Sequence, residues 1–196
     1  MDGARAVFNR LGFDIASMND ICQEAGVSKS TLYVYFRSKE ELFSALVAEA
    51  RDRKIEALSQ LLNDPRDPAR VLRTFGIRLA TTMTSDEIIR THRTIIAVAE
   101  RMPEIGSCFY KEGPRRGIAM LSDYLAAATE VGALAIDDPE FAASQFGELC
   151  FAGHLRRRLF CRETEPPSEA EIAHTVEKAV WLFMKGYGAS AKPTNY

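Results

Sequence analysis

An all-α fold is predicted by three observations. Apolar residues recur at three- and four-residue spacing from end to end. Runs of alternating β-branched residues bounded by hairpin turns are absent. The breaks between periodic stretches carry helix-start and helix-stop residues: Ser or Asp before an apolar run, Pro at its first position, Gly after its last. With 196 residues the chain has room for a small domain joined to a larger one.

The first helix is expected over 2–11, with Ala6, Val7, Phe8 and Leu11 on an apolar face and Gly12 placed to end it in a left-handed cap. Ser17 stands three residues before Asp20, a capping-box-like pair that starts a second helix running to Ala25. Gly26 closes it, and Ser28 caps a short third helix reaching Val34. Ser38 and Glu41 form an S-x-x-E box. Behind it Leu42, Phe43, Leu46, Val47, Ile55, Leu58, Leu61 and Leu62 carry a long fourth helix to Asn63. That helix begins against the small front unit and ends well beyond it, so the domain boundary falls inside it, near residue 47, dividing 1–47 from 48–196. The two prolines of 64–68 then break the chain. Further helices are expected over 69–83, 86–101, 103–111, 114–131, 139–160 and 169–187.

Composition excludes several function classes. Apolar residues make up 46% and charged residues 27%, the balance of a globular protein. The formal net charge of −2 does not suit a chain that coats nucleic acid, so any DNA contact must be local. Cys22, Cys108, Cys150 and Cys161 show no C-x-x-C spacing and read as free thiols. No basic segment followed by an apolar run opens the chain, and no stretch approaches the ~18 apolar residues of a membrane span. A cytoplasmic protein with no membrane partner is therefore expected.

Residues 17–36 meet the demands of a DNA-reading helix pair. Such a helix must enter a major groove ~12 Å wide, present small polar or basic side chains at its N-terminal end, and be held by a partner helix. Met18, Ile21, Ala25, Val27, Leu32 and Phe36 supply the expected seam, leaving Lys29, Ser30, Thr31, Val34 and Tyr35 outward. Ser28 caps the outward helix, whose first amides can also approach a phosphate. The competing reading is a helical hairpin packed only for stability, with Tyr33 and Phe36 in the seam and Lys39 solvated.

Ser17-Met18-Asn19-Asp20-Ile21, then the run from Ala25 to Phe36, then Ser38-Lys39-Glu40-Glu41-Leu42, strongly resembles the TetR family of transcriptional regulators over roughly residues 4–47. The resemblance implies that the helix from Ser28 to Val34 enters the major groove of a double-stranded operator. Lys29, Ser30, Thr31 and Tyr35 would then face bases or their phosphates. It also implies that Ser17 and Tyr33 lie on the DNA backbone and that the Lys39 ammonium pairs with a phosphate, contacts that position rather than specify. At its start the sequence departs from the pattern, since the family carries further residues with a basic arm ahead of the position of Asp2.

For the larger part the resemblance implies a homodimer with a pocket for a small-molecule inducer, and a repressor released from a palindromic operator. An activator would dock on DNA in the same way. The dimer is expected on the last two helices, because Phe141, Phe146, Leu149, Phe151, Leu155 and Leu159 on one and Val176, Val180, Leu182, Phe183 and Met184 on the other offer more apolar surface than a terminal pair buries alone. The competing reading is that both stripes face only their own subunit's core. Phe75, Met83, His92, Phe109, Met120 and Tyr124 are the pocket candidates, each also a plausible core residue. Tyr110 and Lys111 read as surface, and Arg156-Arg157-Arg158 as a solvated or interface feature near a helix end.

Two readings of another class compete. A redox signal would oxidise Cys108, Cys150 or Cys161 in place of ligand binding. A metal-dependent helical enzyme could use Glu171-x-x-His174, but a di-iron bundle needs two such motifs, and neither His92 nor His154 follows a Glu by three residues. No H-E-x-x-H, P-loop, G-x-S-x-G or dinucleotide fingerprint appears. No enzyme, metal or cofactor is expected.

Overall fold

The computed structural model of the protein describes residues 1–189, so 190–196 of the expected 48–196 unit lie outside it. Among the described residues the chain is helical throughout: α1 (Asp2–Ile15), α2 (Met18–Ala25), α3 (Lys29–Tyr35), α4 (Lys39–Ser59), α5 (Pro68–Met83), α6 (Asp86–Ala99), α7 (Pro103–Glu112), α8 (Pro114–Glu130), α9 (Pro139–Cys150), α10 (His154–Leu159) and α11 (Glu169–Tyr187). Among the described residues the one β feature is an isolated bridge between Leu134 and Gly188 that fastens the end of α11 to the turn after α8.

Local chemistry sets the boundaries. Gly12 takes the positive φ of 77° that favours glycine, but with ψ 167° it kinks the helix rather than closing it in a left-handed cap, and one further helical turn follows to Ile15. Ser17 and Asp20 make a complete capping box at the start of α2. At α4 only half of the expected box forms: Ser38 Oγ accepts from the Glu41 amide, while the Glu41 carboxylate accepts from the Arg37 amide one residue further out. Asp67, Ser85, Asp138 and Ser168 each accept from a first-turn amide of α5, α6, α9 and α11. The expected fourth helix stops at Ser59 rather than Asn63.

Two apolar clusters organise the packing. In the front, Val7, Phe8, Ile21, Leu32, Leu42 and Leu46 are joined by Val98 from the far end of α6. Behind it, Leu72, Phe75, Leu125, Phe146, Val176 and Phe183 centre the larger cluster. There α5 lies so close to α11 and α9 that a Cβ on Gly76 would stand 2.8 Å from Val176 Cγ1 and 3.0 Å from Cys150 Sγ.

Three expectations need correction. The helix expected over 139–160 is two, broken at Gly153, whose φ of 82° no helix accommodates. The break turns Arg158 inward: its residue is 2% exposed, and its guanidinium donates to the carbonyls of Thr84 and Thr164 and to the Asp86 carboxylate. Arg158 is thus no solvated feature but a clamp between α10 and the start of α6. Second, the two terminal stripes do not face outward together. Phe146, Phe151, Val176 and Phe183 are buried in their own core, whereas Phe141, Trp181 and Leu182 are exposed. Third, Ala25 and Val27 are exposed rather than in the seam, because α3 is only seven residues long and buries Leu32 alone.

Candidate nucleic-acid interface and ligand cavity

The front unit ends in a short exposed helix. Ser28 caps α3, its hydroxyl accepting from the Thr31 amide at 3.1 Å and lying 2.8 Å from both the Ser30 and Thr31 hydroxyls. Leu32 anchors the helix inward, and every other residue from Lys29 to Tyr35 is exposed, with Val34 at 79% and Tyr35 at 71%. Lys29, Ser30, Thr31, Tyr33, Val34 and Tyr35 are therefore all free to meet a groove.

A surface concavity of about 350 Å³ gathers Ser17, Lys29, Tyr33 and Lys39 with Asn19 at the N-terminus of α2. Four of the sequence candidates converge there, and Asn19 is an addition. Its position on the same first turn as Ser17 was the available signal. The Ser17 hydroxyl is committed to Asp20 Oδ2 at 2.6 Å, and that bond, followed by the Ser17 amide, holds the Asp20 carboxyl below the ordinary carboxylate range. Lys39 is committed as well. Its Nζ donates to the carbonyls of Phe13 at 2.6 Å and Asp14 at 3.2 Å and lies 4.6 Å from the Phe13 ring centroid, tying the end of α1 to the start of α4.

A second, larger space lies between the two clusters. This cavity of about 700 Å³ is walled by five of the six pocket candidates, Phe75, Met83, His92, Phe109 and Met120. Tyr124 is not among them. It is 7% exposed, and its hydroxyl donates to the Asp64 carbonyl at 2.9 Å, which fastens α8 to the loop after α4. Burial, then the nearby Asp64 and Asp67 charges, push that phenol up to about 12.

Sequence reasoning missed the part of the wall that the front unit supplies. Arg5, Phe8 and Asn9 of α1 and Phe43, Leu46 and Val47 of α4 also line the cavity, so the two helices that flank α2 and α3 form part of its wall. The apolar spacing of Phe8, Phe43, Leu46 and Val47 marked them only as core, and Arg5 and Asn9 carried no signal. Within the cavity, His92 Nδ1 donates to the Ile88 carbonyl at 2.9 Å, and the ring meets the Phe109 ring edge-on at a centroid distance of 5.3 Å. Burial depresses its proton affinity, so the imidazole is neutral at physiological pH.

Glu171 caps α11, its carboxylate accepting from the Ser168 amide and hydroxyl. Among the described residues no three His, Cys, Asp or Glu gather as metal ligands would. Cys22 and Cys150 are buried, with burial pushing the Cys150 thiol up, while Cys108 and Cys161 are exposed. Among the described residues no helix is long and apolar enough to cross a membrane.

Comparison with known proteins places this architecture. Residues 1–46 match the profile of bacterial regulatory proteins of the tetR family, and residues 70–189 match that of the AefR-like transcriptional repressor C-terminal domain. The HTH-type transcriptional regulator YhgD of Bacillus subtilis (strain 168) is 26% identical over 151 residues, 73% of this chain and 74% of that one. YfiR of the same organism is 33% identical over 60 residues, a stretch of 31% of this chain that spans 29% of the relative's length. Among solved structures, a TetR-family regulator from Mesorhizobium loti MAFF303099 superposes with a TM-score of 0.88 at 27% identity, covering 95% of this chain and 94% of that one. The flavonoid-responsive regulator FrrA superposes with a TM-score of 0.76 at 30% identity, covering 97% and 95%. Proteins of this kind regulate transcription by binding DNA and are not enzymes. From its helix-turn-helix to its C-terminal helical domain, the chain belongs to the TetR family of transcriptional regulators.

Proposed function

We propose that the protein is a cytoplasmic, homodimeric repressor that leaves a palindromic operator when a small molecule fills the cavity. The observation that carries this reading is the shared wall: α1 and α4, which hold the reading head, also line the space in which an inducer would sit. A ligand that prefers one arrangement of those helices shifts the spacing of two recognition helices, and simultaneous docking one DNA turn apart, ~34 Å, depends on that spacing. α6 supports the same coupling, since it carries His92 into the cavity and Val98 into the front cluster. The working division falls near residue 47, inside α4. Exposed Phe141, Trp181 and Leu182 on α9 and α11 supply apolar surface for a second copy.

On DNA, Lys29, Ser30, Thr31, Val34 and Tyr35 read bases, Ser28 presents the N-terminus of α3, and Ser17 and Tyr33 position the backbone. Lys39 acts by holding α1 against α4, with its remaining N–H available to a phosphate. Operators selected from a random DNA pool and titrated by band shift test these roles. Tyr33→Ala and Lys39→Ala should weaken binding to every selected site, whereas Lys29→Ala and Thr31→Ala should change site preference by roughly 1–3 kcal/mol per base contact. Unchanged binding by all four variants would remove the assignment.

A further inference from the structure

We infer that the occupant of the interdomain cavity is an uncharged, largely aromatic molecule carrying a hydroxyl group, which donates a hydrogen bond to Nε2 of His92. This rests on the proposed ligand cavity and names what that cavity selects.

The wall decides the body of the ligand. Phe8, Phe43, Phe75, Phe109 and Phe151 surround the space, with Met83 at its side, so rings and a polarisable sulfur face an occupant from several elements. At about 700 Å³ the space holds a molecule of several fused or linked rings.

The charges of the wall decide that the ligand is uncharged. Arg5 is paired with Glu49 at 3.4 Å, Arg51 with Asp52 at 3.2 Å and Lys54 with Glu87 at 2.9 Å. Arg90 and Glu148, of opposite sign, are exposed. An ionised ligand would have to break one of these pairs or enter the apolar part with no counter-charge.

His92 decides the polar group. A carbonyl oxygen only accepts, so the ring nitrogen facing Ile88 carries the proton, and in the neutral ring Nε2 is then an acceptor. Nε2 has no partner among the described residues, yet it is not sealed: the one sealed, unpartnered side-chain nitrogen or oxygen among them is His154 Nδ1. A hydroxyl satisfies this acceptor. An ether oxygen cannot, and leaves Nε2 desolvated and unpaired, which is the situation in which a site rejects an analogue lacking the donor.

The test uses a monohydroxyflavone, its methyl ether and unsubstituted flavone, titrated calorimetrically into the full-length protein, His92→Phe and His92→Gln. The hydroxyl compound should bind the unaltered protein about tenfold more tightly than the ether. His92→Phe, which keeps a ring, should abolish that preference, and His92→Gln, which keeps an acceptor, should retain part of it. The melting temperature of each variant reports whether it folds. If the preference survives in folded His92→Phe, the inference is overturned. If all three compounds bind the unaltered protein alike, the inference falls while the ligand cavity stands. If none binds, both fall.

Discussion

His92 and Tyr124 are both polar aromatics of the middle helices, and they differ in where their polar atoms go. Tyr124 turns its hydroxyl to the Asp64 carbonyl and has no face on the cavity. Tyr124→Phe should therefore cost about 1 kcal/mol in urea unfolding through one lost hydrogen bond, with no change in ligand affinity. Lys39 differs in the same manner. A sequence pattern says that an ammonium belongs at the start of α4, but only the fold brings the Phe13 and Asp14 carbonyls within its reach. Asp20 adds a pH dependence at this scale. Its carboxyl is held low by Ser17, so its stabilisation of α2 is present above the ordinary carboxylate pKa of about 3.9 and lost as pH falls through the lower folded value. Asp20→Ala should reduce the acid sensitivity of the melting temperature, followed by circular dichroism between roughly pH 5 and 3.

At the scale of elements, caps and breakers were legible and a change of direction inside an apolar stretch was not. Pro68, Pro103, Pro114 and Pro139 each open a helix, as their fixed φ and missing donor require. Gly153 gave no comparable warning, because a lone glycine in a helical pattern is often tolerated. Its left-handed conformation redirects α10 and delivers Arg158 to the first turn of α6, where Arg93 returns two bonds to the carbonyls of Arg158 and Leu159. Arg158→Ala should destabilise the protein by about 3 kcal/mol in urea unfolding, since it leaves the buried Thr84 carbonyl and the part-buried Thr164 carbonyl without these donors and removes an ion-pair partner. A loss below about 0.5 kcal/mol would mean that the clamp is solvated after all.

For the whole molecule, the proposed dimer would couple the exposed trio on α9 and α11 to the cavity between the two clusters. A second copy covering Phe141, Trp181 and Leu182 would fix the larger parts of two chains, leaving the reading heads to move against them through α4 and α6. Trp181→Glu combined with Leu182→Glu should give a monomer by sedimentation at micromolar concentration, and operator affinity should fall by more than roughly tenfold because one half-site is then held alone. A dimer that persists would move the interface elsewhere on the surface.

The helical class, most helix starts and the DNA-reading segment follow from the sequence by itself, because they depend on residues within one or two turns of each other: a cap and its amide, a glycine and its φ, an apolar residue and its neighbour at i+4. The tertiary structure alone decided which apolar core residues also became wall. Phe8, Phe43 and Phe75 carry the same local signal as Val7, Leu42 and Leu72, and differ only in facing a space left where two clusters meet. Such a gap is a property of how helices distant in the chain stack, and no periodicity within one helix encodes it.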